Sequence, residues 1–99
     1  MAIAEQILDE VRRIFREVLG GGTVTVYLFG SWARGEATAI SDIDLAIEAR
    51  TPLAPGTLAR LRERLEDSRV PYRVEVVDLN EVDPAFRGRI LAESVRWSV

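Results

Sequence analysis

The chain has 99 residues, 47% of them hydrophobic and 29% charged, with a formal net charge of −3. That length and balance predict one globular domain over 1–99 with little room for a separate substrate domain, and the mildly acidic charge argues against a general nucleic-acid coat or a polybasic membrane binder. Cysteine, histidine and lysine are all absent, which excludes disulfide frameworks, thiolate zinc sites, His-dependent triads and lysine-bearing phosphate loops, and leaves carboxylates, arginines, hydroxyls and bound metal to carry any chemistry.

Ile3, Ile7, Val11, Ile14 and Val18 recur at three- and four-residue spacing, with Leu8, Phe15 and Leu19 widening the stripe. That periodicity predicts an amphipathic first helix. Gly20-Gly21-Gly22 ends it and opens a turn. Thr23 to Phe29 is β-branched and aromatic and reads as a strand. Ser31 to Arg34 starts a short helix whose N-terminus would face bound phosphates. Glu36 to Ser41 is a polar loop, and Asp42 to Ala49 a second strand. A connector with two prolines, Thr51 to Gly56, leads to Thr57, a helix cap. That helix runs to about Ser68 with Leu58, Leu61 and Leu65 inward. Tyr72 to Leu79 is a third strand. Asp83-Pro84 reads as an N-cap with proline in the first helical position, starting a last helix to about Val95. This order predicts an α/β (α+β) fold, a small mixed sheet with helices packed on one face. The other face would carry the site. No segment is long and apolar enough to predict a membrane span, and the N-terminus lacks a signal-peptide pattern, so a cytoplasmic location is expected.

The segment from Leu28 to Ile47 carries the chemistry. Its first strand runs into Gly30-Ser31, where glycine lets the backbone approach a ligand and the serine hydroxyl and following N–H groups can hold phosphate oxygens. Asp42 and Asp44, one residue apart, point to the same strand face while Ile43, Leu45 and Ile47 point to the other. Two carboxylates side by side repel, and hard divalent cations remove that repulsion. Taken alone, an Asp-x-Asp pair favours a solvated strand edge. Arg34 reads either as a phosphate contact or as a surface arginine paired with Glu36. Gly35 suits a helix C-cap, and Trp32 suits stacking on a base or packing. Tyr72 and Trp97 read as structural, with contact to a partner the alternative for Trp97.

GSWARG, a short spacer and SDIDLAI together resemble the nucleotidyltransferase superfamily motif, a Gly-Ser followed by Asp-x-Asp. The compact length, the match from Phe29 to Ile47 and the later PYRVEVVDLNEVDPAFRGRIL resemble in particular the minimal nucleotidyltransferases, several of them antitoxins encoded beside a HEPN-domain partner. The resemblance implies metal coordination by Asp42 and Asp44 and nucleotide binding by Gly30, Ser31 and Arg34. It also implies two Mg²⁺ ions, ATP as substrate, and a third carboxylate on the neighbouring strand. Glu75 and Asp78 are the candidates for that carboxylate. If Val74 and Val76 face the core, alternation sends Glu75 to the side of Asp42 and Asp44 and leaves Asp78 on the core side. The family pattern V-D-V-V-D-L has aspartate where this chain has Glu75, whose carboxylate reaches about 1.5 Å further.

The activity so implied is transfer of AMP from ATP to a hydroxyl acceptor, here a tyrosine of a HEPN-type toxin, with release of pyrophosphate. Glu75 or a metal-bound hydroxide would take the acceptor's proton. A second hypothesis is a binding module that silences its partner by contact with weak or no catalysis, which the glutamate at position 75 favours. A third, a small-molecule nucleotidyltransferase, is disfavoured by the lack of an acceptor-binding domain. No membrane contact and no stable nucleic-acid binding are expected.

Overall fold

The computed structural model describes residues 2–20 and 24–97. Gly21, Gly22 and Thr23, and the side chain of Ile3, lie outside the described residues.

Helix α1 spans Ala2–Leu19. Its predicted stripe is the one that packs: Val11, Ile14, Phe15 and Val18 are buried, with Ile7, Leu8 and Leu19 at the margin. Gly20 ends the helix in the left-handed region at φ +71°, and its N–H donates to the Arg16 carbonyl at 3.0 Å, which supplies one orphan carbonyl of the last turn. On the exposed side Arg13 bridges Glu10 and Glu17, and Arg64 from the third helix also reaches Glu17. These pairs are solvated and contribute little each.

Strand β1, Val24–Phe29, pairs antiparallel with β2, Ile43–Ala49. Strand β2 pairs parallel with β3, Val74–Asp78. The short helix α2 occupies Gly30–Ala33 between β1 and β2, and α3, Thr57–Glu66, makes the crossover from β2 to β3. A parallel neighbour needs such a crossover, whereas the β1–β2 pair does not. Leu61 and Leu65 of α3 are buried and Leu58 packs at the edge of the core. Thr57 is the first helical residue rather than the cap. Gly56 holds the N-cap position at φ +83°, where a side chain would be strained, and no side chain caps the helix. Ser68 Oγ donates to the Leu65 carbonyl at 2.6 Å, which closes the helix two residues short of the expected end.

Helix α4 spans Pro84–Glu93 with the predicted start. Asp83 is the N-cap, its Oδ1 accepts from the Phe86 N–H at 3.0 Å, and proline follows at once. The end differs from expectation. Ser94 is extended, and Val95–Trp97 form a fourth strand, β4, antiparallel to β1. Three residues hold no readable alternation. What makes them a strand is the free edge of β1, together with a seat for Trp97 against Phe15 (ring centroids 6.5 Å apart, edge to face) and the Arg12 guanidinium (4.5 Å).

The sheet order is β3-β2-β1-β4, so the fold is the expected mixed α/β arrangement. Helices α1 and α3 cover one face, burying Val26, Leu28, Ile43, Leu45, Ile47, Val76 and Trp97. Helix α4 lies over part of the other, so the helices are not confined to one face as expected: Ala46, Leu79 and Ile90 make a second apolar cluster there, flanked by Tyr27, Phe29, Val77 and Phe86. Arg87 of α4 pairs with Glu48 of β2. Along that face of β2, Ala46 and Glu48 meet α4, while Asp42 and Asp44 sit at the opposite end of the strand.

Candidate functional site

The site forms where β1 ends beside the start of β2. Phe29 pairs with Asp44 across the antiparallel ladder, so the next residue, Gly30, leaves the sheet against the Asp44 side chain. Gly30 has φ +73°, and a Cβ built on it would lie 2.3 Å from Asp44 Oδ2. Only glycine satisfies both the backbone and the carboxylate at that point. The chain then turns through α2, which carries Ser31. It closes with a Schellman motif: the Glu36 N–H donates to the Ser31 carbonyl at 2.9 Å and the Gly35 N–H to the Trp32 carbonyl at 3.5 Å. Gly35, at φ +72° in open space, is thus a helix C′ glycine.

Trp32 points back into the molecule. Its ring meets Tyr72 edge to face at 5.0 Å, and its Nε1 donates to the Ser41 carbonyl at 3.4 Å. One indole thereby ties α2 to the residue before Asp42 and to the segment entering β3. Thr38 and Ser41 fold the intervening loop, with the Ser41 N–H donating to the Thr38 carbonyl and Thr38 N–H to Ser41 Oγ at 2.9 Å.

Asp42 stands just before β2 and Asp44 within it, both half-buried. In the parallel ladder Asp44 is opposite Glu75 and Ile47 opposite Asp78. Val74 and Val76 pack into the α1–α3 core, so Glu75 shares the face of Asp44, as alternation predicts. Asp78 faces elsewhere: its Oδ1 accepts from the Asn80 N–H at 2.9 Å and caps the turn after β3.

The carboxylates are felt electrostatically. Burial raises the proton affinity of Asp44 above the ordinary aspartate range, and the charges of Asp42 and Glu75 raise it further, while Arg34 opposes them. Glu93, the last residue of α4, adds to the same repulsion. Motif reading does not find Glu93, because only the packing of α4 over the sheet carries it here. Arg34 donates from Nε to Glu36 at 2.7 Å and lies 4.0 Å from Glu93, so it has the acidic partner that one reading of the sequence gave it. Glu75 accepts from Arg73 at 3.0 Å.

Among the described residues no three acidic side chains converge closely enough to ring a metal ion. Asp42 and Asp44 occupy one end of one sheet face, and Glu75 is turned toward Arg73. The donor set still fits a hard divalent cation. It is made of carboxylate oxygens, their mutual repulsion is written into Asp44, and the backbone beside Asp44 is cleared by Gly30. No helix among the described residues is long and apolar enough to cross a membrane.

Residues 20–96 match the polymerase beta nucleotidyltransferase family model. A candidate protein adenylyltransferase of Methanocaldococcus jannaschii is 34% identical over 89 residues, covering 89% of this chain and 95% of that protein. The Haemophilus influenzae protein MntA, also a candidate protein adenylyltransferase, is 40% identical over 63 residues, 64% of this chain and 55% of that protein. The match thus spans about half the length of MntA. The solved structure of a candidate minimal nucleotidyltransferase is 31% identical with a TM-score of 0.73, over 92% of each chain. A Shewanella oneidensis complex of a tri-AMPylated HEPN toxin with its MNT antitoxin matches at 21% identity and a TM-score of 0.68, over 96% of this chain and 72% of that one, a likeness of fold.

Proposed function

The chain belongs to the polymerase beta nucleotidyltransferase family, and we propose that it is a magnesium-dependent protein adenylyltransferase, moving AMP from ATP to a tyrosine hydroxyl of a HEPN-type toxin and thereby silencing it. The observation that carries this reading is the junction of Gly30 with Asp44. The turn that would hold phosphate and the strand that bears the acids meet at one point, where a side chain on residue 30 would strike the carboxylate. The relatives support the acceptor class. One is a candidate protein adenylyltransferase along nearly its whole length, and a neighbour in fold sits on an AMPylated HEPN toxin.

In this reading Asp42, Asp44 and Glu75 would hold Mg²⁺. Bound there, the metal supplies charge neutralisation for the leaving pyrophosphate and a lowered pKa for the acceptor hydroxyl. Gly30 makes room for the Asp44 carboxylate beside the turn that would take the phosphates. Ser31 and Arg34 hold the outer phosphates in line, with Arg34 exchanging Glu36 for phosphate oxygens. The acceptor oxygen bonds to the α-phosphorus, the bond to pyrophosphate breaks, and Glu75 takes the hydroxyl proton. A cytoplasmic setting belongs to the same proposal.

A second reading is favoured by the Arg73–Glu75 ion pair: an antitoxin that neutralises its partner by contact, with its third carboxylate engaged elsewhere. Incubation of the chain with a HEPN partner, Mg²⁺ and ATP labelled on the α-phosphate separates the two. Label on the partner's tyrosine with pyrophosphate release supports transfer. A silenced but unlabelled partner overturns it in favour of contact.

A further inference from the structure

Glu75 lies on β3, on the face that also carries Asp44 across the ladder, and Arg73 stands two residues before it, just ahead of the strand. Neighbouring strands are about 4.8 Å apart, so an acid at position 75 is within a side chain's length of Asp44. Yet no three acids converge among the described residues, and Glu75 reaches back past the start of β3 to the Arg73 guanidinium at 3.0 Å. The family pattern has aspartate here. A glutamate has the extra methylene needed to fold back on a residue two positions away, and an arginine is there to receive it. The charges of Glu75 and Asp44 repel each other, and Arg73 holds the Glu75 carboxylate.

We infer that Arg73 is a positioning residue that keeps Glu75 off the Asp42–Asp44 pair until a divalent cation takes the carboxylate from it. This rests on the proposed metal role of the two aspartates. The pair is substantially exposed, with side chains 72% and 47% accessible, so the hold is weak and reversible, as exchange with a cation requires. An exposed ion pair of this kind changes an equilibrium by about two- to fivefold.

The test is Mn²⁺ binding to the full chain without nucleotide, followed by the loss of free-ion EPR signal at fixed ionic strength. Arg73→Gln should tighten Mn²⁺ binding by about two- to fivefold, Arg73→Lys should restore the wild-type value, and Arg73→Gln in a Glu75→Gln background should give no tightening. Unchanged or weaker binding in Arg73→Gln overturns the inference. So does a tightening that survives in the Glu75→Gln background, since that is only the loss of a nearby positive charge. Asp42→Asn with Asp44→Asn keeps the two levels apart. If wild-type binding does not depend on those aspartates, the metal site and this inference fall together. If it does and Arg73→Gln changes nothing, only the role of Arg73 falls.

Discussion

Gly30→Ala should damage the site far more than the fold, and the structure sets both sizes. The added Cβ would lie 2.3 Å from Asp44 Oδ2, where ordinary van der Waals contact begins at 3.4 Å. The Asp44 carboxylate or the turn must therefore move by roughly 1 Å, and a displacement of that size at a reacting centre costs on the order of a hundredfold in rate. A left-handed φ adds about 1–2 kcal/mol for any residue with a Cβ. Gly35→Ala separates the two effects. Its φ of +72° matches that of Gly30, but its Cβ would meet nothing within 4 Å. Both variants should lose about 1–2 kcal/mol in urea titrations, several degrees of melting temperature at this chain length. Only Gly30→Ala should also weaken Mn²⁺ binding and AMP transfer steeply. Equal Mn²⁺ affinity in the two folded variants would refute the reasoning, because only the Cβ on residue 30 meets Asp44.

The acid cluster predicts a pH dependence with a definite sign. Asp44 is raised in the folded chain, so the native state keeps its proton to higher pH than the unfolded state does, and stability falls as pH rises from the ordinary aspartate value through the raised one. With chelator present, Asp44→Asn should melt above wild type at neutral pH and the gap should close as the solution is acidified below that window; an Asp44→Asn chain no more stable at pH 7 contradicts this. Arg34→Ala should weaken ATP more than AMP, since its assigned partners are the outer phosphates, and equal weakening of both in a binding titration removes that role. Glu75→Gln should lower AMP transfer to the partner steeply while Asp78→Asn, which loses only the turn contact to the Asn80 N–H, should cost mainly stability; the opposite pattern in folded proteins transfers the third-carboxylate role to Asp78. Trp97→Ala should cost about 3–5 kcal/mol in urea unfolding, the range for deleting a buried aromatic, and a loss under about 1 kcal/mol would show that β4 does not help close the core.

Periodicity and local chemistry were enough for most of the fold. The α1 stripe, the β-branched run of β1, the alternation of β2 and β3 and the Asp83-Pro84 start of α4 each depend on residues within one turn or one strand, so they are visible without the tertiary structure. The Gly-Ser turn and the Asp-x-Asp strand were joined by their motif, whereas the contact of Gly30 with Asp44 depends on the pairing of Phe29 with Asp44. The side of Glu75 followed from Val74 and Val76 once both were taken as core. Strand β4 was not legible: Val95-Arg96-Trp97 is too short to show a period and becomes a strand only because β1 offers a free edge. Nor was the N-cap of α3, where connector geometry chose Gly56 over Thr57. The repulsion of Asp42 and Asp44 and the pairing of Arg34 with Glu36 are local and were legible, but not every charge at the site was. Glu93 bears on Asp44 from helix α4, far along the chain, and Glu75, drawn as a metal ligand by its motif, has a partner in Arg73, two residues before it, that the motif does not include.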